Sequence, residues 1–167
     1  DFTPTGIKIK DFIDQNDNNS NIPLIIGGNL EIDIDANYID GTWFAAGFYT
    51  QILVKNGKTF GLNGTKIFSA KRASPSRESC CRWSGIISEN RTVLNWENIE
   101  LKDAQFALYL PTLTFLDGAK LNFKGNKFTE VINGIISNSH KFNPVVFQNN
   151  LFSGCTDCTP LCGCGDG

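Results

Sequence analysis

A chain of 167 residues is long enough to bury one core, and its longest apolar run, around Ile22–Ile26, is far too short to cross a bilayer as a helix. Charged residues make up only 19%, and abundant Gly, Asn, Ile, Phe and Thr with no methionine favour strands and turns over helices. The net charge of −2, with one short basic segment and few aromatics beside it, argues against nucleic-acid binding.

Residues 1–21 are expected to form an N-terminal cap or edge segment. The opening DFTPTG shows no secretory leader, which fits a processed mature chain or a piece cut from a larger one. Further on, DQNDNN places Asp14, Asn16 and Asn18 where an EF-hand has its first three ligands. Asn19 stands where that loop needs glycine and Ile25 where it needs a bidentate Glu, so this is not an EF-hand. A polar surface turn explains it, and a looser Ca2+ site at Asp14, Asn16 and Asn18 is the functional alternative. No other cofactor is expected.

From Asp11 to Asp40 there are seven acidic residues and no Lys or Arg, whereas Lys66 to Arg91 holds six basic residues against Glu78 and Glu89. Two solvated surfaces account for this asymmetry; it would also steer head-to-tail contact between copies or attract an anionic polymer. Glu31-Ile32-Asp33-Ile34-Asp35 alternates strictly, so Ile32 and Ile34 can face inward while three carboxylates face water. The insertion AKRASPSRESCCR, residues 70–82, should protrude from whatever scaffold carries it. Its Arg72, Arg77 and Arg82 are candidate ligands for carboxylated or sulfated glycans.

From residue 83 onward one phrase recurs: WSGIIS at 83–88, QFALYL at 105–110 and INGIIS at 132–137, anchored on Gly85, Ala107 and Gly134. A second follows in the same order: Trp96/Ile99/Leu101, Phe123/Asn126/Phe128 and Phe147/Asn150/Phe152. LNGTKIF at 62–68 reads as an earlier echo beside LNFKGNKF at 121–128. Two phrases returning in order every twenty-odd residues, with no helical periodicity, predict a solenoid of short strands. Each unit is too small to bury its own apolar face, so coils would stack with parallel pairing between equivalent strands. Trp96, Phe123, Phe147, Leu101, Phe128 and Phe152 are then the expected core stack. The repeated small residue would sit where the backbone bends or a larger side chain would clash. Asn126 and Asn150 fall in register, either as stacked amides bonded to each other along the axis or as ordinary turn residues.

These motifs resemble the right-handed parallel β-helix proteins of the pectate-lyase-like superfamily, in the style of secreted and surface proteins of Bacteroidetes-type bacteria. The likeness is carried by Ile52–Val54, Gly61–Thr65, Phe68–Ser69, Trp83–Ile86 and Ala104–Leu108, and covers about Ile22 to Phe152. It implies an all-β, right-handed parallel β-helix of about five to six coils, with the helix at residues 22–153 and a Cys/Gly-rich tail at 154–167. Ala107 departs from the pattern, which prefers glycine, and implies a looser corner there.

The six cysteines are Cys80, Cys81, Cys155, Cys158, Cys162 and Cys164. The tail spacing would suit zinc, but an even total with extracellular-looking composition points to disulfides. One tail–tail bond and two bonds to Cys80 and Cys81 would tie the C-terminus across the loop before Trp83 and cap an open sheet edge.

The chemistry of catalysis is sparse. His140 is the only histidine and sits in a polar, turn-like stretch; Asp103 and Asp117 are candidate hydrolase carboxylates only by elimination. The expected function is therefore a non-catalytic, secreted or cell-surface β-helix with a structural or adhesive role. It would bind glycans or surface proteins, with self-association end to end into a filament and no membrane insertion. The contrasting expectation is a carbohydrate-active enzyme, a polysaccharide lyase or hydrolase, on the same fold.

Overall fold

The computed structural model describes residues 24–26, 30–33, 35–40, 43–46, 50–69, 82–111, 118–138 and 143–154. Among these the chain is all strand. It enters at Leu24–Ile26 (β1) and then repeats a three-strand circuit. The first two circuits are Leu30–Ile32, Ala36–Asp40 and Trp43–Ala46 (β2 to β4), then Gln51–Val54, Thr59–Asn63 and Lys66–Ser69 (β5 to β7). Next come Gly85–Ser88, Val93–Glu97 and Glu100–Lys102 (β8 to β10), and Phe106–Leu110, Lys120–Lys124 and Lys127–Val131 (β11 to β13). The last is Asn133–Ser137, Asn143–Gln148 and Leu151–Gly154 (β14 to β16).

Each strand pairs in parallel with the strand three places along the chain. Sheet A runs β1-β4-β7-β10-β13-β16, sheet B β2-β5-β8-β11-β14 and sheet C β3-β6-β9-β12-β15. Three parallel sheets visited in rotation are compatible with a parallel β-helix. No helix among the described residues is long and apolar enough to cross a membrane. The six cysteines, Arg72, Arg77, His140, Asp117, Asp14, Asn16 and Asn18 lie outside the described residues.

Alternation along the strands fills the space between the sheets. Ile52 and Val54, Phe60 and Leu62, Leu94 and Trp96, and Leu121 and Phe123 are all buried. At the first circuit Ile32 is buried while Glu31, Asp33 and Asp35 are exposed, and Ile34 lies outside the described residues. Because equivalent strands pair in register, like residues pile up in rows along the stack. Leu108 lies beside Ile86 on one side and Ile135 on the other, which aligns Gly85, Ala107 and Gly134. Ala107 is not loosely held: it is fully buried, and its backbone is outside the left-handed region, so a methyl fits. The echo at residues 62–68 is offset by two residues from the expected alignment. Leu62 lies beside Trp96, in the row of Phe123, whereas Leu121 lies beside Leu94.

The rings stack along two rows. Trp96 and Phe123 are 4.5 Å apart at 9°, and Phe128 and Phe152 are 4.6 Å apart at 20°. Trp96, Phe123, Leu101 and Phe128 are buried, but Phe147 and Phe152 are 43% and 37% exposed. These two are core by sequence pattern and surface by position, because no described circuit follows to cover them.

Two buried indoles differ in a way that stability measurements can read. Trp83 Nε1 donates to the Lys102 carbonyl at 2.9 Å, whereas Trp96 Nε1 is buried with no partner among the described residues. Trp83→Phe therefore breaks a hydrogen bond that Trp96→Phe does not. We expect Trp83→Phe to cost about 1–2 kcal/mol more in chemical denaturation.

Corners are built where the chain enters the left-handed backbone region. Between sheets C and A that position is Gly64, Asn98, Gly125 and Asn149 in successive circuits, and between A and B it is Asp103 and Glu130. Gly and Asn alternate at the first corner because both tolerate this conformation.

Candidate functional site

The interior between the sheets is filled by side chains, so the accessible surfaces are the outer faces and ends. The outer face of sheet B carries an apolar row. Leu53, Ile87, Tyr109 and Ile136 lie side by side on β5, β8, β11 and β14. Alternation points them away from the buried Ile52, Ile86 and Leu108, and each is half-buried. Three strand steps make the row about 14 Å long. Phe106 borders it with ring centroid 5.7 Å from Tyr109. The Tyr109 hydroxyl accepts from Asn138 Nδ2 at 3.0 Å, and the exposed Glu31, beside Leu53, closes the far end.

The outer face of sheet C is polar by contrast. Asn122 Nδ2 donates to Asn95 Oδ1 at 2.6 Å, and Lys124 Nζ lies 3.1 Å from Glu97 Oε1. The amide-to-amide contact, one of the two readings of Asn126 and Asn150, is thus found on this outer face instead. Inside, Asn126 Oδ1 accepts from the Ile99 N–H at 3.0 Å and its Nδ2 donates to the Trp96 carbonyl at 2.9 Å. Asn150 repeats this one circuit on, to the Asn126 N–H and the Phe123 carbonyl, both at 3.1 Å. The inner amides bond to backbone because a turn leaves an N–H and a C=O unpaired between strands, and a buried orphan costs more than an amide ladder returns.

Between sheets B and C, carboxylates tie neighbouring circuits together. Glu89 accepts from Lys55 Nζ and from the Asn56 N–H, both at 2.8 Å, and Asp35 accepts from the Thr59 N–H at 2.8 Å. The hydrogen bond from Lys55 holds the Glu89 carboxyl below its ordinary value of 4.5, with help from the Asn56 N–H and against partial burial. The same bond raises Lys55 above its ordinary 10.5. A depressed carboxyl stabilises fully above the unfolded value and loses that contribution as pH falls through the folded one. Thermal midpoints of wild type and Glu89→Gln should therefore differ by a constant amount at neutral pH and converge below about pH 4.5. The gap should be small, as expected of a pair near the surface.

Of the arginines proposed as glycan ligands, Arg82 is half-buried next to Trp83, and the other two are outside the described residues. Asp103 is buried at a corner, its carbonyl accepting from the Trp83 N–H at 3.2 Å. The sheet B row was missed in the sequence reading although a signal was present. Consecutive apolar residues in one strand, as in Ile86-Ile87 and Leu108-Tyr109, must point to opposite sides. Comparison with protein-family models, curated proteins and solved structures found no significant match to this chain.

Proposed function

We propose that the chain is a right-handed parallel β-helix acting as a secreted or cell-surface structural and adhesive element, without catalysis. In this reading the stack is a stiff support that presents outer faces to glycans or protein neighbours, and copies join end to end. The observation that carries it is the outward row Leu53, Ile87, Tyr109 and Ile136. Apolar and aromatic side chains aligned on a stiff sheet, bordered by Asn138 and Glu31, form a flat platform with polar edges. Such a platform suits the apolar faces of sugar rings or another protein surface. The disulfide proposal rests on the even number of cysteines in the sequence.

Retention on immobilised pectin, alginate and chondroitin, and on cell-envelope preparations, tests adhesion. Ile87→Lys, in the middle of the row, should lower retention at least about tenfold while the unfolding transition stays in place. Equal retention of variant and wild type would remove the platform from the account. Release of unsaturated sugars, followed by absorbance, would overturn the non-catalytic reading.

A further inference from the structure

We propose that the end formed by β14, β15 and β16 binds a second copy of this chain head to tail, the incoming copy presenting its β1–β3 end. The proposal rests on the scaffold reading above and names the partner, the polarity and the residues of its end-to-end contact.

β14, β15 and β16 are the last strands of all three sheets, so each, Ser137 apart, offers one row of N–H and C=O groups that no further strand pairs among the described residues. Such edges are templates for another strand. The side chains there are those of an interior contact. Phe147 and Phe152 lie 6.1 Å apart at 9°, and both are substantially exposed. Their counterparts one circuit earlier, Phe123 and Phe128, are fully buried because β15 and β16 cover them. The amide pattern stops at the same place. The N–H groups of Ile99 and Asn126 each receive an Asn side chain from the next circuit, and the Asn150 N–H has no such acceptor among the described residues.

What fits this end is another circuit of the same kind. The opposite end of the molecule offers its own edge strands, β1, β2 and β3. Leu24 occupies the register position of Phe44, Ile67, Leu101, Phe128 and Phe152, and Ile39 that of Leu62, Trp96, Phe123 and Phe147. Polarity follows from two further facts. Every strand pairing named above is parallel, which head-to-tail contact preserves and tail-to-tail contact would reverse. Residues 24–46 carry Glu31, Asp33, Asp35 and Asp40 with no base, whereas residues 133–154 carry Lys141 and no acid. Two acidic ends repel each other, and an acidic end meets the other end without repulsion. A head-to-tail contact does not close on itself, so it propagates into a filament.

Light scattering on the full chain over a wide concentration range tests this. Particle mass should grow through multiples of the 18.4 kDa chain, without stopping at two. The double variant Phe147→Asp, Phe152→Asp, at two substantially exposed rings of this end, should weaken self-association at least about tenfold. Its other end is untouched, so adding it to wild type should shorten the particles by stopping growth. A monomer at every concentration, meaning that residues 1–23 or 155–167 cap the ends, would overturn the proposal, as would a closed dimer or a variant that shortens nothing. Should the variant lose its fold, hydrogen exchange decides on wild type alone: edge amides of β14–β16 must be slower in concentrated than in dilute solution. Polysaccharide retention through sheet B is read separately, so a wild-type chain that stays monomeric yet is still retained sinks this proposal and spares the adhesive reading.

Discussion

Asn126→Ala should lower the free energy of unfolding by about 2–5 kcal/mol, a large share of what a domain of this size possesses. The residue is fully buried, and its amide satisfies two backbone groups of the preceding circuit, the Ile99 N–H and the Trp96 carbonyl. Alanine removes both partners at once and leaves two buried orphans with no route for water. Asn150 makes the equivalent pair of bonds but is only half-buried at the end of the stack. Asn150→Ala should cost about 1 kcal/mol, because solvent can replace much of what is lost. Urea unfolding of the two variants checks the ratio. Equal and small losses would mean that the amide bonds to backbone contribute little to stability.

The second large effect is expected at Gly85. Its φ of 124° is a conformation that side chains rarely adopt. A Cβ there would lie 2.0 Å from the Phe106 carbonyl oxygen and 2.6 Å from its ring. Backbone of the adjacent strand cannot move aside without opening the β8–β11 pairing. Gly85→Ala should therefore cost about 3 kcal/mol or more, or prevent folding. Gly134 is the informative control, since it occupies the same row one circuit past Ala107. A Cβ at Gly134 would meet only the Phe152 ring, at 2.9 Å, and that ring is exposed and can turn. Gly134→Ala should stay within about 1 kcal/mol of wild type. Three aligned small residues thus have different reasons for being small, and thermal denaturation of the two variants separates them.

Part of this architecture was legible because stacking repeats its own chemistry. Trp96, Phe123 and Phe147 could be aligned by eye, since a buried row in parallel register favours the same kind of residue in each circuit. The early circuits were harder to read. Asp40 pairs with Asn63 and Trp43 with Lys66, so the two early circuits run in register. Their leading residues, Ile39 and Leu62, are aliphatic, and a search led by aromatics passes over them. The direction of an Asn side chain was not legible at all. Asn95 lies within strand β9 and Asn126 in the turn between β12 and β13, and one bonds to another amide while the other bonds to backbone. Nor does a periodic motif say where cover ends: Phe147 and Phe123 look alike in sequence, and one is exposed because no circuit follows it among the described residues. The sheet B platform was hidden for a related reason, because its members read as core until alternation assigns them a side.

The most direct measurement is proton NMR of the uniformly labelled chain, reading backbone contacts between Val93–Glu97 and Lys120–Lys124. The account requires amide-to-Hα contacts in the slanted parallel pattern, with Trp96 opposite Phe123, and the same pattern from Val93–Glu97 to Thr59–Asn63 on its other edge. Short Hα-to-Hα contacts across either pair, the mark of antiparallel neighbours, would contradict it.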